Sequence, residues 1–269
     1  MPDSVLLIDM GNTRIKWVWA VDGRIDEETC GRGGLDAFRR LTQSHADGSP
    51  GRVLLSSVAA KERTQAVMDA CNSHWAVTVS RLASRRQQAG IRNAYEQAET
   101  LGVDRWLAIV GAAHSYGKPV VIWDLGTATT LDAVDAAGQH LGGYIFPGPV
   151  TMLEALRSGT ALTVPGDLSG ALEESPTGQE YSISPGQTTV DCIIQGVRAT
   201  QIGALNQFLR YISPQVGNPT LVVTGGAAQE LLSGLKFKHI HDPWLVFRGM
   251  LTVHNQSLNL TAPGNPENL

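Results

Sequence analysis

The first third of the chain alternates between short apolar runs and polar turns. Continuous apolar runs predict buried strands, and segments with apolar residues three and four apart predict helices. The predicted strands lie at 5–8, 15–21, 53–57 and 76–79, and the predicted helices lie at 35–43 and 61–72. Asp22-Gly23 predicts a hairpin turn into one further strand. The order β-β-β-α-β-α-β predicts a mixed sheet with helices packed against it.

The same order begins again near the middle of the chain. Predicted strands lie at 120–124, 130–134, 141–146 and 221–224, and a long helix is predicted at 188–211. Gly225-Gly226 opens a further helix. A repeat of this length indicates a duplicated domain, so we expect two α/β domains, 1–117 and 118–269, with a cleft between them. The segment 162–185, rich in Gly, Ser and Pro, predicts a flexible loop.

Composition and charge narrow the class of protein. Hydrophobic residues make up 42% and charged residues 17% of 269 residues, which is ordinary for a globular protein. The net charge of -4 argues against a nucleic-acid partner. Cys30, Cys71 and Cys192 are far apart and have no C-x-x-C spacing, which predicts neither a disulfide framework nor a zinc site. No segment approaches the roughly 20 apolar residues of a membrane span, and we expect a cytoplasmic protein.

The two copies share a motif in which an acid follows a buried strand and precedes a glycine. Asp9-x-Gly11-Asn12-Thr13 superposes on Asp124-x-Gly126-Thr127-Ala128. Glycine allows main-chain N–H groups to approach an anion closely. The further donors beside the two glycines are Asn12, Thr13, Thr127, Thr129, Arg14 and Lys16. Phosphate binding is therefore expected at both loops.

The acids themselves cannot bind phosphate, because like charges repel. Asp9 and Asp124 are better suited to holding a cation that neutralises a polyphosphate. One copy of the motif could be an ordinary hairpin turn, since Asp, Gly and Asn are common turn residues. Two copies at matching positions favour phosphate binding, and hence a kinase that transfers a phosphoryl group from ATP to a small metabolite.

The ordered set of motifs resembles a known superfamily. D-x-G near the start, D-x-G-T halfway and Thr224-Gly225-Gly226 near the end are similar to the actin–hexokinase–acetate kinase superfamily. Within this superfamily, four motifs taken together resemble those of type III pantothenate kinase. These are Asp9-Met10-Gly11-Asn12-Thr13-Arg14-Ile15-Lys16, Leu101-Gly102-Val103-Asp104-Arg105, Asp124-Leu125-Gly126-Thr127-Ala128-Thr129-Thr130-Leu131-Asp132, and Gly142-Gly143-Tyr144-Ile145-x-Pro147-Gly148.

The resemblance implies two ribonuclease-H-like domains of the actin-like ATPase and sugar kinase fold, with ATP in the interdomain cleft. It also implies conversion of pantothenate to 4′-phosphopantothenate, the first step of coenzyme A biosynthesis, by a homodimer. ATP with Mg²⁺ would be the co-substrate, and a monovalent cation, K⁺ or NH₄⁺, would be required. The residues that the resemblance assigns to ATP are Asp9, Met10, Gly11, Asn12, Thr13, Arg14, Lys16 and Thr127.

The resemblance makes Asp104 the general base and Asp124 the ligand of the monovalent cation. It places Tyr95, Gly102, Val103, Asp104, Arg105 and Thr189 at pantothenate. The chain departs from the family at Ala98, where a proline is common, and at Gln187-Thr188, where Lys-Asn is common.

Several of these residues have ordinary structural alternatives. Asp104 could cap the helix that follows it, Arg105 could form a surface ion pair, and Tyr95 could belong to a core. Thr188 and Thr189 compete for the roles of helix cap and substrate ligand. At the level of function, the alternatives are another small-molecule kinase or a polyphosphate phosphatase of the same superfamily, and an accessory role in transcription.

Overall fold

The computed structural model describes residues 4–44, 48–162, 184–232 and 238–261. All but the ends of the predicted loop at 162–185 lie outside these ranges. The chain divides into two compact units, residues 1–115 with 244–269, and residues 116–243.

The first unit is built on a five-stranded sheet with the order β3-β2-β1-β4-β5. Its strands are β1 (Ser4–Met10), β2 (Ile15–Val21), β3 (Arg24–Gly33), β4 (Arg52–Ser57) and β5 (Val79–Arg81). Its helices are α1 (Leu35–Ser44), α2 (Lys61–Trp75) and α3 (Val103–Tyr116). A small hairpin, β6 (Gln87–Gln88) and β7 (Ile91–Arg92), and a 3-10 turn at Ala98–Thr100 lie between β5 and α3.

The second unit repeats this topology with the order β10-β9-β8-β11-β12. Its strands are β8 (Val120–Leu125), β9 (Ala128–Val134), β10 (His140–Pro147), β11 (Thr220–Thr224) and β12 (Ile240–His241). Its helices are α4 (Pro149–Gly159), α5 (Thr189–Val216) and α6 (Ala228–Leu232), and the last helix, α7 (Leu245–Thr261), belongs to the first unit. In both sheets the first three strands are antiparallel, and the remaining pairings are parallel.

Each sheet packs its own apolar core against helices. In the first unit, Trp17 meets Phe38 edge-on with ring centroids 5.7 Å apart, among buried side chains of β1 and α2. In the second unit, Trp123 is fully buried in a cluster with Phe208 of α5. Burial of these rings together with the aliphatic side chains of each cluster supplies the hydrophobic driving force for folding of each unit.

The C-terminal segment differs from the expected division at 117/118. Trp244–Leu269 groups with the first unit instead of the second, while the other boundary at Ser115 lies close to the expected one. The reason is close helix packing: a Cβ at Gly249 of α7 would lie 2.0 Å from the Leu107 carbonyl oxygen of α3. Glycine at this position lets the two helices approach backbone to backbone.

Most predicted elements are present, with shifts at their ends. The strand expected at 76–79 is Val79–Arg81, because Ala76 takes a left-handed conformation (φ 53°) that ends α2. The hairpin β6–β7 and the helices α4 and α7 are not anticipated by the sequence patterns. Within the ranges that the structure describes, no helix has the length and apolarity needed to cross a membrane.

Candidate active site

Asp9 lies at the end of β1, between two neighbouring strands. It pairs with Lys16 of β2 and with Ser56 of β4, and the Ser56 hydroxyl donates to its Oδ1 at 3.2 Å. Burial raises the pKa of Asp9 to about 6; the nearby Asp104 carboxylate adds to the rise, while Lys16 and Ser56 oppose it. The strand pairing therefore places an acid, a cation and a hydroxyl together.

The loop after Asp9 is a tight turn with exposed polar side chains. The Gly11 N–H donates to the Arg14 carbonyl at 3.0 Å, and Asn12, Thr13 and Arg14 are exposed. The guanidinium of Arg63 on α2 donates to the Asn12 carbonyl. Arg63 was not among the sequence candidates, because its contact depends on the packing of α2 against this loop.

Met10 is part of this segment but its side chain belongs to the core. The side chain is fully buried, and the main-chain carbonyl accepts the Val58 N–H at 3.1 Å. Any contact of Met10 with a ligand must therefore come from its main chain.

Asp104 lies in the first turn of α3. The Trp106 N–H donates to the Gly102 carbonyl at 2.9 Å, so the cap position belongs to Gly102 and not to Asp104. The Asp104 Oδ1 accepts the Arg105 N–H at 2.7 Å, and a Cβ at Gly102 would lie 2.8 Å from this oxygen. Gly102 thus leaves room for the carboxylate.

The charge state of Asp104 is set mainly by its surroundings. Burial raises the pKa of this carboxyl, while the Arg105 N–H and the positive charges of Arg105 and Lys16 limit the rise. Asp9 and Asp104 interact electrostatically, and both interact with Lys16. Asp104 therefore forms one electrostatic cluster with two residues of the N-terminal hairpin, Asp9 and Lys16.

Arg105 pairs with Tyr95. Its side chain is 5% exposed, its Nη1 donates to the Tyr95 hydroxyl at 2.8 Å, and its Cζ lies 5.8 Å from the Tyr95 ring centroid. Arg105 is therefore a buried residue and not a surface one. Tyr95 is only partly buried, so its ring is not a core side chain.

The loop that carries Tyr95 is held by side chains that the motifs do not include. Asn93 is buried, its Oδ1 accepts the Tyr95 N–H at 3.0 Å, and its Nδ2 donates to the Ala98 carbonyl at 3.2 Å. Arg86 donates to the carbonyls of Tyr95 at 2.8 Å and Glu96 at 2.6 Å. These bonds fix the loop without the proline that the family often has at Ala98. The N-x-Y spacing is the sequence signal that could have identified the Asn93 turn.

In the second unit, the loop after Asp124 is enclosed by main chain. The Thr127 carbonyl accepts the Gly148 N–H at 2.9 Å and the Thr151 hydroxyl at 2.6 Å. A Cβ at Gly148 would lie 2.0 Å from the Gly126 carbonyl oxygen. Only glycine fits at this approach, which accounts for the P-G that ends the fourth motif.

The late glycine pair lies against the same loop. Gly225 has φ +98°, and a Cβ there would lie 2.4 Å from the Leu125 carbonyl carbon. The Ala227 N–H donates to the Leu125 carbonyl at 3.0 Å. The Asp124-x-Gly126-Thr127 motif and the Thr224-Gly225-Gly226 motif therefore meet within the second unit.

Thr188 and Thr189 divide their possible roles. Thr188 is the N-cap of α5: its hydroxyl accepts the Asp191 N–H at 3.1 Å and donates to the Asp191 carboxylate at 2.8 Å. Thr189 is the first helical residue and is exposed. Because Thr188 caps the helix, Thr189 stays the candidate ligand of pantothenate.

Comparison with known proteins identifies the family. Residues 5–211 match the family model of type III pantothenate kinase. The chain belongs to this family. A type III pantothenate kinase from Nitrosococcus oceani is 33% identical over 257 residues, covering 93% of each chain.

Solved structures agree on the fold. A Campylobacter jejuni protein described as a Baf family transcriptional activator has a TM-score of 0.59 at 19% identity, covering 94% of this chain and 99% of that one. The Clostridium difficile activator of 2-hydroxyisocaproyl-CoA dehydratase, with bound ADPNP, has a TM-score of 0.56 at 13% identity, covering 97% and 99%. The expected actin-like ATPase fold is confirmed.

Proposed function

We propose that Asp104 is the general base of this type III pantothenate kinase. The reaction is the ATP-dependent phosphorylation of pantothenate to 4′-phosphopantothenate in coenzyme A biosynthesis. A carboxylate at Asp104 accepts the proton of the substrate hydroxyl as its oxygen attacks the γ-phosphorus. The observation that carries this role is the partly buried carboxylate beside the Arg105–Tyr95 pair, with a raised pKa that strengthens it as a base.

Pantothenate is proposed to bind around the same helix start. Arg105 and Tyr95 present a paired guanidinium and hydroxyl to polar groups of the substrate. The Val103 side chain is buried, so Gly102 and Val103 act through their main chain. In the second unit, Thr189 exposes its hydroxyl at the first turn of α5 and stays a proposed pantothenate ligand on the family resemblance alone.

The ATP phosphates are proposed to bind at the two glycine loops. The first loop offers Gly11, Asn12, Thr13 and Arg14, with Lys16 beside them. The second loop offers the exposed Thr127. The donors are main-chain N–H groups, hydroxyls and cations, which are the groups that suit phosphate oxygens.

Two carboxylates are proposed to serve the cations. A divalent ion accompanies ATP in this family of kinases, and Asp9 fits it because a hard cation prefers carboxylate oxygen. The ion supplies charge neutralisation of the triphosphate. Asp124 is the proposed ligand of K⁺ or NH₄⁺, at the corresponding strand end of the second unit.

We further propose a homodimer that works in the cytoplasm, where ATP is available. Tyr144 and Ile145 of β10 and Val150 of α4 are apolar and exposed, Ile145 by 63%. Exposed apolar side chains such as these favour burial against a second copy. Analytical ultracentrifugation tests this, and a monomer at micromolar concentration contradicts it.

The function is tested by ADP release with ATP, Mg²⁺ and pantothenate, in KCl or in NaCl. We expect release that depends on pantothenate and is faster in KCl. Equal rates of release in both salts would contradict only the proposed role of Asp124 as the ligand of a monovalent cation. Absence of release with pantothenate, but release with a sugar, would overturn the substrate assignment and favour the sugar-kinase alternative.

A further inference from the structure

Gln201 is a polar side chain in the middle of the longest helix of the second unit, α5. It is fully buried, with 0% exposure. A buried amide is costly unless both its oxygen and its nitrogen are hydrogen-bonded. Its partners therefore show why an amide stands among apolar neighbours.

The amide of Gln201 joins three segments. Its Oε1 accepts the Thr129 hydroxyl of β9 at 2.8 Å. Its Nε2 donates to the Pro147 carbonyl at the end of β10 at 3.0 Å, and lies 3.4 Å from the Met152 sulfur of α4. One side chain thus holds β9, the end of β10 and the start of α4 together.

These segments enclose the loop after Asp124. Thr129 follows Thr127 by two residues, and Pro147 directly precedes Gly148. Gly148 donates to the Thr127 carbonyl at 2.9 Å and packs against the Gly126 main chain. A shift of Pro147 therefore moves Gly148, and with it the Gly126–Thr127 main chain.

We propose that Gln201 is a positioning residue that fixes the Gly126–Thr127 loop for binding of ATP. The inference rests on the proposed contact of Thr127 with ATP. Glutamine is suited to the task because its amide accepts from Thr129 and donates to Pro147 in one rigid plane. Leucine matches its volume without either bond, and glutamate would set a second oxygen against the Pro147 carbonyl.

The test measures the KM for ATP of Gln201→Leu in the ADP-release assay, together with equilibrium binding of a non-hydrolysable ATP analogue. Loss of a residue that orients ligand-contacting groups typically costs about tenfold or more. We expect the KM and the Kd to rise by about tenfold, with kcat and the KM for pantothenate close to wild type. Thr129→Val, which removes one of the bonds, should raise the KM for ATP by a smaller factor.

The matched control is Gln207→Leu, the same change on the exposed side of α5, which should leave all constants unchanged. An unchanged KM for ATP in folded Gln201→Leu would overturn the inference, as would a uniform fall of kcat with no change in KM or Kd. If Gln201→Leu does not fold, Thr129→Val decides in the same way. Wild-type protein without pantothenate-dependent release contradicts the proposed function instead, and analogue binding then still tests Gln201.

Discussion

The two glycine loops share a motif and a place in the fold, yet they are surrounded differently. Each follows the central strand of its sheet, β1 in the first unit and β8 in the second. Around the first loop the neighbours are charged: Lys16 and Asp104 both act on Asp9. Around the second loop the neighbours are glycines, with Gly148 and Gly225 packed against its main chain.

The two loops also differ in the space around their glycines. A Cβ at Gly11 would meet only the Arg14 carbonyl at 3.6 Å, an ordinary contact, whereas a Cβ at Gly148 would lie 2.0 Å from Gly126. The first loop is therefore sensitive to charge and the second to volume. A shared motif fixes where an acid and a glycine stand, while residues outside the motif decide how each loop responds to substitution.

The largest effect is expected from removing charge at Asp104. Asp104→Asn keeps the shape and the acceptor for the Arg105 N–H, but it loses the base. We expect kcat to fall by about 10²–10⁴-fold, while binding of ATP stays nearly unchanged. Steady-state kinetics and nucleotide titration measure the two quantities separately.

The matched control is Glu99→Gln, which neutralises an exposed carboxylate on the preceding 3-10 turn. It should leave kcat at the wild-type value. An unchanged kcat in Asp104→Asn would remove Asp104 from the mechanism. The view that charge governs the first loop, while close main-chain packing governs the second, would then fail.

The next effect comes from adding volume at the second loop. Gly148→Ala forces main chain apart, which typically costs about 1–3 kcal/mol, or roughly 5- to 150-fold in a binding constant. We expect a higher KM for ATP and a lower free energy of unfolding. Gly11→Ala should leave the free energy of unfolding unchanged, because its Cβ has room. Equal destabilisation by both substitutions, measured by denaturant titration, would contradict the difference between the loops.

Gly203→Ala is the control for the substitution itself. Gly203 is exposed in α5 and a Cβ there meets nothing within 4 Å. Alanine in an exposed helix position stabilises by about 0.5–1 kcal/mol relative to glycine. A loss of stability in Gly203→Ala would show that the effect at Gly148 does not come from the close approach.

The sequence predicted the two sheets well because their signals are local. Buried strands such as β1 and β8 contain continuous apolar runs followed by turn residues, and the repeat indicated that they belong to duplicated domains. The helix α7 escaped prediction, and its place in the first unit depends on a long-range contact between Gly249 and Leu107. No pattern within α7 itself reveals that contact.

In the candidate site, too, residues with a local sequence signal can be separated from residues that depend on long-range contacts. Asp9, Asp104 and Asp124 are candidates in the sequence because each lies in a motif. Ser56 and Gln201 were missed, since each acts on a loop more than 40 residues away in sequence. Such partners are set by strand register and helix packing, which single-sequence patterns do not record.

A smaller effect is expected from the Tyr95 hydroxyl. Tyr95→Phe removes the acceptor of the buried Arg105 Nη1, and a bond to a charged group contributes enough to change binding by about tenfold. We expect the KM for pantothenate to rise while the KM for ATP is unchanged. Tyr211→Phe, at a tyrosine that is 64% exposed, is the control. A rise in the KM for ATP instead would place Tyr95 at the nucleotide.

The smallest effect should appear only as a shift with pH. The Ser56 hydroxyl stabilises the charged form of Asp9, so Ser56→Ala should raise the pKa of Asp9 further above about 6. Because protonated Asp9 cannot hold a cation, kcat/KM for ATP falls as the pH falls through this pKa. The fall should therefore begin at a higher pH in the variant, by about 0.5–1 unit for one hydrogen bond, with little change at pH 8. Ser57→Ala is the control, since Ser57 bonds to Thr64 instead. Coincident pH profiles for wild type and Ser56→Ala would contradict the role of Asp9 in the acidic limb. The limb would then be assigned to Asp104 of α3, whose pKa is also raised.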